Sequence, residues 1–363
     1  MENVKRKRIY VCHTYYHAYI AHLKELALPE DQKGGATILL STMSTDFEKL
    51  GERIKAAGLF EKAVRYEEKN FAEYPELLKY KEDKGNIVFN MFNRIKFTKK
   101  YGKICEESIP EGIDFKDYDD IYVFCDSDPI GYYLNTHKFK YHALEDGLNC
   151  LRYFDTARYD NMGAFKLKVF MSKKLGLIFI QNGYGKYCID CEVNSIEMIE
   201  HECPYYVEVP RQTLVDRLTD EDKKIILRTF IRDIDSLNAQ IEELKSDNNK
   251  VLILTDPLCD LDTRKRIFQD LIDEYSKKGT VFLKPHPRDE LNYRVEFADV
   301  PQFDPTVPME MFNFFDNLRF KTVVSVFTEV KAIQFADEIV KLGPDFMDKY
   351  EDPAIHRQRE RIK

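Results

Sequence analysis

A strand that is forced to stop constrains this chain most: Val281-Phe282-Leu283-Lys284-Pro285-His286-Pro287-Arg288-Asp289-Glu290 is an apolar run closed by two prolines. A short apolar run bounded by breakers reads as a strand buried on both faces. Proline lacks the N–H that a ladder or a helix needs, so neither continues past Pro285. His286 is therefore fixed at a strand end with Lys284 and Arg288 beside it, which suits holding and releasing a phosphate.

The start of the chain has the same character. Residues 9–12 are an apolar strand, and His13-Thr14-Tyr15-Tyr16-His17 leads into a helix carrying Tyr16, Ile20, Leu23, Leu26 and Ala27. That helix breaks near Pro29 and Gly34-Gly35, and residues 38–40 form the next strand. A β-α-β opening predicts a parallel sheet and the α/β class. Residues 46–118 read as mostly helical and show no chemistry. Residues 121–125 form a strand ending in Asp126-Ser127-Asp128-Pro129, where a helix start at Asp128 accounts for the Asp-x-Asp spelling more simply than a metal–nucleotide site. The next strand, residues 141–144, ends in Glu145-Asp146-Gly147. Two carboxylates at such an edge are candidates for proton transfer, and an ordinary acidic turn is the other reading.

Cys188, Cys191, His201 and Cys203 have a spacing that invites a zinc check, although the second pair is tight for a finger and buried thiols are common. Residues 204–210 read as a connector, and Ile226, Phe230, Ile234, Leu237, Ile241 and Leu244 predict one amphipathic helix over 219–245. At 363 residues the chain exceeds one ordinary core. We expect domains at 1–210 and 250–363, joined by a linker helix within 211–249. The second domain opens with a strand at 251–254. Its loop carries Asp256, Asp260 and Asp262, and a right-handed connection puts Asp260 on the loop next to His286. Residues 322–327 are a further strand, with Ser325 and Thr328 placed to offer hydroxyls, and a following helix N-terminus to offer amides, to a phosphate; a buried strand capped at Thr328 is the alternative. The charged tail 341–363 should be helical at its end and could pack back on the first domain.

A net charge of −8 argues against a general nucleic-acid binder. Eight cysteines spread over the chain fit a reducing compartment rather than a disulfide scaffold. No apolar run approaches a membrane span, and the basic residues at the start precede no signal-like apolar stretch, so a cytoplasmic protein is expected, with the inner face of the membrane left open. One stretch stands out: Lys166, Lys168, Lys173, Lys174 and Lys186 are mixed with Phe165, Val169, Phe170, Leu175, Leu177, Ile178 and Phe179. Elements packed on a core with solvated lysines are the simpler reading; a face toward an anionic membrane or glycolipid is the other.

These motifs, in this order, resemble glycosyltransferase family 52, the bacterial sialyltransferases of lipooligosaccharide and capsule. The resemblance rests on Tyr10-Val11-Cys12-His13-Thr14-Tyr15-Tyr16-His17, on Glu145-Asp146-Gly147, on Lys284-Pro285-His286-Pro287-Arg288, on Glu310, and on the Ser325 and Thr328 region. It implies a GT-B fold, two Rossmann-like domains facing across a cleft, with CMP-sialic acid held by the second and a galactose-terminated glycan as acceptor. No cofactor or metal is implied, and a homodimer and a peripheral membrane contact stay open. His286 would assist departure of CMP. Asp146 or Asp260 would be the base, with Asp256 or Asp262 able to stand in for Asp260. Lys284, Pro287, Arg288, Glu310, Ser325 and Thr328 would bind donor. His13, Thr14, Tyr15 and Glu145 would lie on the acceptor side.

Overall fold

The computed structural model describes residues 5–124, 126–147, 151, 164–180, 183–199, 203–328 and 330–356. The chain divides into two compact units, residues 1–222 and 223–363. In the first, the described strands form one sheet in the order β3-β2-β1-β4-β5-β6-β7. They are β1 (Arg8–Cys12), β2 (Ala36–Ser41), β3 (Lys62–Tyr66), β4 (Asp120–Val123), β5 (Tyr141–Leu144), β6 (Cys188–Val193) and β7 (Tyr206–Glu208). Every neighbouring pair is parallel, with Tyr10 opposite Ile38 on one side and Tyr122 on the other. β1 and β2 are buried along their whole length, the condition that selects continuous rather than alternating apolar residues.

Helix α1 (Tyr15–Leu26) begins at Thr14, whose hydroxyl accepts the His17 N–H. There follow α2 (Leu50–Ala57), α3 (Pro75–Leu78), α4 (Ile87–Glu106), α5 (Pro129–His137), α6 (Phe165–Val169) with a π-helical continuation Phe170–Leu175, and α7 (Arg211–Val215). α4 crosses α5 at Gly102, where a Cβ would fall 1.9 Å from Thr136 Oγ1, so the approach requires glycine. Phe97 and Tyr101 of α4 and Tyr132 of α5 interlock at that crossing, their centroids 5.0–5.8 Å apart. The chain leaves β1 for β2 and β3 and returns to β4 on the other side. This places the topological switch, where open α/β sheets bind ligands, outside the C-terminal ends of β1 and β4.

The second unit is entered through α8 (Asp220–Phe230) and α9 (Ile234–Leu244). Its parallel sheet runs β11-β10-β8-β9, from β8 (Lys250–Leu254), β9 (Thr280–Lys284), β10 (Phe320–Ser325) and β11 (Ala336–Lys341). α10 (Leu261–Tyr275) joins β8 to β9 and buries Ile267, Phe268, Leu271, Ile272 and Tyr275, a helical spacing that packs one face on the sheet. Here the switch lies between β8 and β10.

Five expectations change. The helix expected over 219–245 is two helices, because Asp233 caps a new start by accepting the Ser236 N–H at 2.8 Å. Residues 46–118 contain β3, and the connector 204–210 contains β7. After β10 no helix forms among the described residues before β11, so the amides near Thr328 do not belong to a helix N-terminus. Asp128 occupies the position before α5 without a side-chain cap bond; Glu68 accepts the Ile130 N–H instead.

Candidate active site

At the switch of the first unit, the turn from β1 brings His13, and the first turn of α1 brings His17, to the strand ends. His17 Nδ1 accepts the His13 backbone N–H at 3.1 Å. With that nitrogen an acceptor, the neutral ring carries its proton on Nε2, which donates to Asp146 Oδ1. The ring is fully buried and stacks on Phe124 at 4.1 Å and 4°. The Asp146 side chain is 24% exposed. A buried, tautomer-fixed imidazole thus orients a carboxylate whose outer edge reaches solvent. Glu145, by contrast, faces inward: it is buried and accepts the Asn194 N–H at 2.7 Å, and burial pushes its carboxyl up against that bond and the Arg211 charge.

His13 makes a second pair. Its Nε2 lies 2.6 Å from Glu68 Oε2, which also accepts the Ser41 hydroxyl at 2.7 Å, while Oε1 accepts the Ile130 N–H at 2.7 Å. Burial alone would pull His13 down, but the charge and hydrogen bond of Glu68, with help from Asp128 and Asp146, raise it from 6.5 to about 9. A histidine raised in the folded state contributes stability fully below its unfolded value near 6.5 and loses it as pH rises through about 9. We therefore expect urea stability to fall by about 1–3 kcal/mol between pH 6.5 and about pH 10, and Glu68→Gln to flatten that dependence. A flat wild-type profile would reject the charged pair.

In the second unit, the His286 N–H donates to Thr255 Oγ1 at 3.0 Å, tying the end of β9 to that of β8. The Arg288 N–H donates to His286 Nδ1 at 3.2 Å, so here too the neutral ring carries its proton on Nε2. Burial, then the Arg288 charge, pull His286 below its ordinary value, with Lys284 adding and Asp256 and Asp289 opposing. Burial and Arg288 thus favour the neutral ring, and a phosphate placed beside it would oppose that shift. Arg264 and Asp289, both buried, pair at 2.5 Å. Arg264 also donates to the carbonyls of Leu258 and Cys259, and Tyr293 donates to Asp289 at 2.8 Å, so this pair holds the loop after β9 against the loop after β8. Arg264→Met leaves Asp289 buried without its cation and should cost about 3–5 kcal/mol, read as a lower thermal midpoint. An unchanged midpoint would show that the loops are held by other contacts.

Asp256 fastens the ends of β8 and β10. Its Oδ2 accepts the Phe327 and Thr328 N–H groups at 3.1 and 3.3 Å, and its Oδ1 accepts the Thr328 hydroxyl. The donors expected to face a phosphate from Thr328 are thus held by a carboxylate, and Ser325 Oγ donates to the Thr328 carbonyl at 3.0 Å. Lys284 is buried and donates to the Pro285 and Pro305 carbonyls at 3.1 Å; burial lowers it to about 8, against Asp304 and Glu310. Glu310, half-buried on a 3-10 turn, is raised by burial, with Lys284 opposing. Pro287 and Arg288 are exposed. Asp260 caps α10, accepting the Thr263 N–H at 2.9 Å, and that bond holds its carboxyl below the usual range. Thr14 is the α1 cap, and the buried Tyr15 donates to the Phe47 carbonyl at 3.2 Å.

Cys188 and Cys191 lie on β6; His201 falls outside the described residues. Cys188 Sγ donates to the Asp190 carbonyl at 3.1 Å, and burial pushes Cys188 and Cys191 well above the ordinary thiol range and Cys203 up. Lys173 donates to the Cys188 carbonyl at 2.7 Å. Asp126 accepts from the Gly183 N–H and the Tyr141 hydroxyl. Among the described residues no group of three His, Cys, Asp or Glu is placed to hold a metal.

The profile of glycosyltransferase family 52 matches residues 62–335, reaching into both units. An uncharacterised protein of Haemophilus influenzae is 28% identical over 142 residues, 36% of this chain and 44% of that protein, so less than half of that relative's length is matched. The fold is similar to an α/β-galactoside α-2,3-sialyltransferase of Photobacterium phosphoreum, with TM-score 0.52, 11% identity and coverage of 92% of this chain and 90% of that one. A sialyltransferase of Photobacterium damsela gives TM-score 0.51, 12% identity, and 92% and 74% coverage. With parallel sheets in both units and the family profile spanning most of its length, the chain belongs to glycosyltransferase family 52 and has the GT-B fold.

Proposed function

We propose that the protein is an inverting, metal-independent sialyltransferase. It moves sialic acid from CMP-sialic acid to a galactose-terminated glycan, forming an α-2,3 linkage, for surface polysaccharide or lipooligosaccharide, and it works on the cytoplasmic side of the membrane. Among the described residues no helix is long and apolar enough to cross a membrane. The observation that carries the reading is His286: in a family 52 chain, a ring at a strand end has its Nε2 proton set by the Arg288 N–H.

The second unit binds the donor. His286 donates from Nε2 to the donor phosphate, and the nearby negative charge favours the imidazolium as CMP leaves. The first unit activates the acceptor. The acceptor oxygen bonds to the anomeric carbon as the bond from that carbon to the phosphate oxygen breaks; the electron pair leaves on CMP, and the hydroxyl proton passes to Asp146. His17 supports this assignment by holding Asp146 in one orientation, whereas the Asp260 carboxylate is engaged as a helix cap. Protein donors neutralise the phosphate in place of a divalent ion, so activity should survive EDTA.

A second reading, a transferase using a UDP- or CDP-activated donor, rests on the same phosphate-directed histidine. Calorimetric titration with CMP, UDP and CDP in EDTA separates the two: selective binding of CMP supports sialyl transfer, and preference for UDP or CDP overturns it. Binding without turnover of any donor would instead indicate a non-catalytic sugar-nucleotide-binding protein.

A further inference from the structure

Two segments depart from the acidic balance of the chain, whose net charge is −8. Residues 87–105 contain five basic and no acidic residues, and so do residues 164–188. The fold brings them together: Met91 and Ile95 of α4, and Phe165 and Val169 of α6, pack on one small core around Ile178 and Ile180. A groove of about 480 Å³ runs beside them, its lining including Ile87, Met91, Arg94 and Lys168, with Glu82 and Asp83 as its acidic residues. Glu82 pairs with Lys84, and Asp83 accepts from Gly85 and Asn90.

α4 is 20 residues long, yet its buried residues, Phe97, Thr98, Tyr101, Gly102 and Cys105, all lie in its second half. The first half packs through Met91 and Ile95, and its start is built: Asn86 accepts the Val88 and Phe89 N–H groups. Ile87, Val88, Phe89 and Phe92 are 55–64% exposed, and Leu167, Phe170 and Leu175 are 46–52% exposed. Half of the large hydrophobic side chains exposed among the described residues therefore sit on these two neighbouring elements, which is a patch and not scatter. Val88, Phe92, Lys96, Lys99 and Lys103 follow one another at three- and four-residue spacing and share one face of α4, apolar at its start and basic beyond.

The chemistry of this face selects its partner. Exposed phenylalanines leave water for an apolar phase, and a face rich in lysines favours anions beside that phase. A second copy of the chain docked through the same face would set two strongly basic surfaces against each other, which is repulsive. We propose that α4 and residues 165–175 form a docking surface for an anionic phospholipid membrane. Phe89, Phe92 and Phe170 enter the boundary between headgroups and acyl chains, and Lys96, Lys99 and Lys174 meet the lipid phosphates. None of these residues has a part in the proposed chemistry, so the surface stands or falls independently of the donor.

The test is co-sedimentation of the full chain with vesicles of phosphatidylcholine and phosphatidylglycerol, about 7:3, and of phosphatidylcholine alone. Binding to the anionic vesicles that weakens with added salt, and little binding to the neutral ones, is expected. Phe89→Ser/Phe92→Ser and Lys96→Glu/Lys99→Glu should each weaken binding about tenfold or more with an unchanged thermal midpoint. If the serine pair proves unstable, the glutamate pair alone decides the outcome. Absence of binding to anionic vesicles, or binding indifferent to both pairs, overturns the proposal. So does a wild-type dimer in light scattering that the serine pair dissociates, which would assign the surface to a second copy.

Discussion

His286→Ala should lower turnover by about two to four orders of magnitude while the thermal midpoint moves by no more than about 2 °C. The ring contributes little to packing energy. It sits partly exposed just beyond the end of β9, and its imidazole accepts the Arg288 N–H, an exposed amide that water can satisfy after truncation. What is lost is a donor aimed by the backbone, whose proton affinity burial and Arg288 have lowered in the absence of an anion. Such a group interacts more strongly with the charge that develops on a leaving phosphate than with the ground state, so the loss should appear in kcat more than in KM. Steady-state kinetics beside a melting curve checks this. Transfer at the wild-type rate would remove His286 from the mechanism.

Asp146→Asn should be comparably severe, about two to four orders of magnitude in turnover, with donor affinity unchanged. The tautomer of His17 sharpens the expectation. Its Nε2–H will bond the amide oxygen of an asparagine, which turns the NH2 group outward to where a base must accept a proton. Asp260→Asn is the contrast: asparagine caps helices about as well as aspartate, so stability and turnover should both stay within about threefold. Turnover lost in the Asp260 variant and retained in the Asp146 variant would move the base to the second unit.

The parts of this molecule legible in the sequence are those written in local chemistry. The prolines around His286 mark the end of β9, Thr14 marks the start of α1, and the apolar runs of β1, β8 and β9 announce buried parallel strands. β3 was not legible because, as an edge strand, it buries only Ala63 and Tyr66 fully, and its charged residues match the helical surface before it. Glu68 was missed with it, although it joins β2, α1 and α5 at the switch. The break between α8 and α9 was hidden because Asp233 caps a new helix without disturbing the apolar spacing. The Asp256 bonds to Thr328 span 72 residues, and the Lys284 bond to Pro305 spans 21, so no local pattern reports either. The same limit applies to the histidine pairs: His17 and His13 are visible as a motif, but their carboxylate partners lie 129 and 55 residues away.

The most direct test of sialyl transfer is to incubate the purified protein with CMP-sialic acid and a terminal galactoside in EDTA and follow the anomeric signals by NMR. The account predicts release of CMP and a sialylated galactoside with inverted configuration at the anomeric carbon, at a rate indifferent to the chelator. Retained configuration, dependence on a divalent ion, or transfer from a UDP- or CDP-activated donor but not from CMP-sialic acid would contradict it.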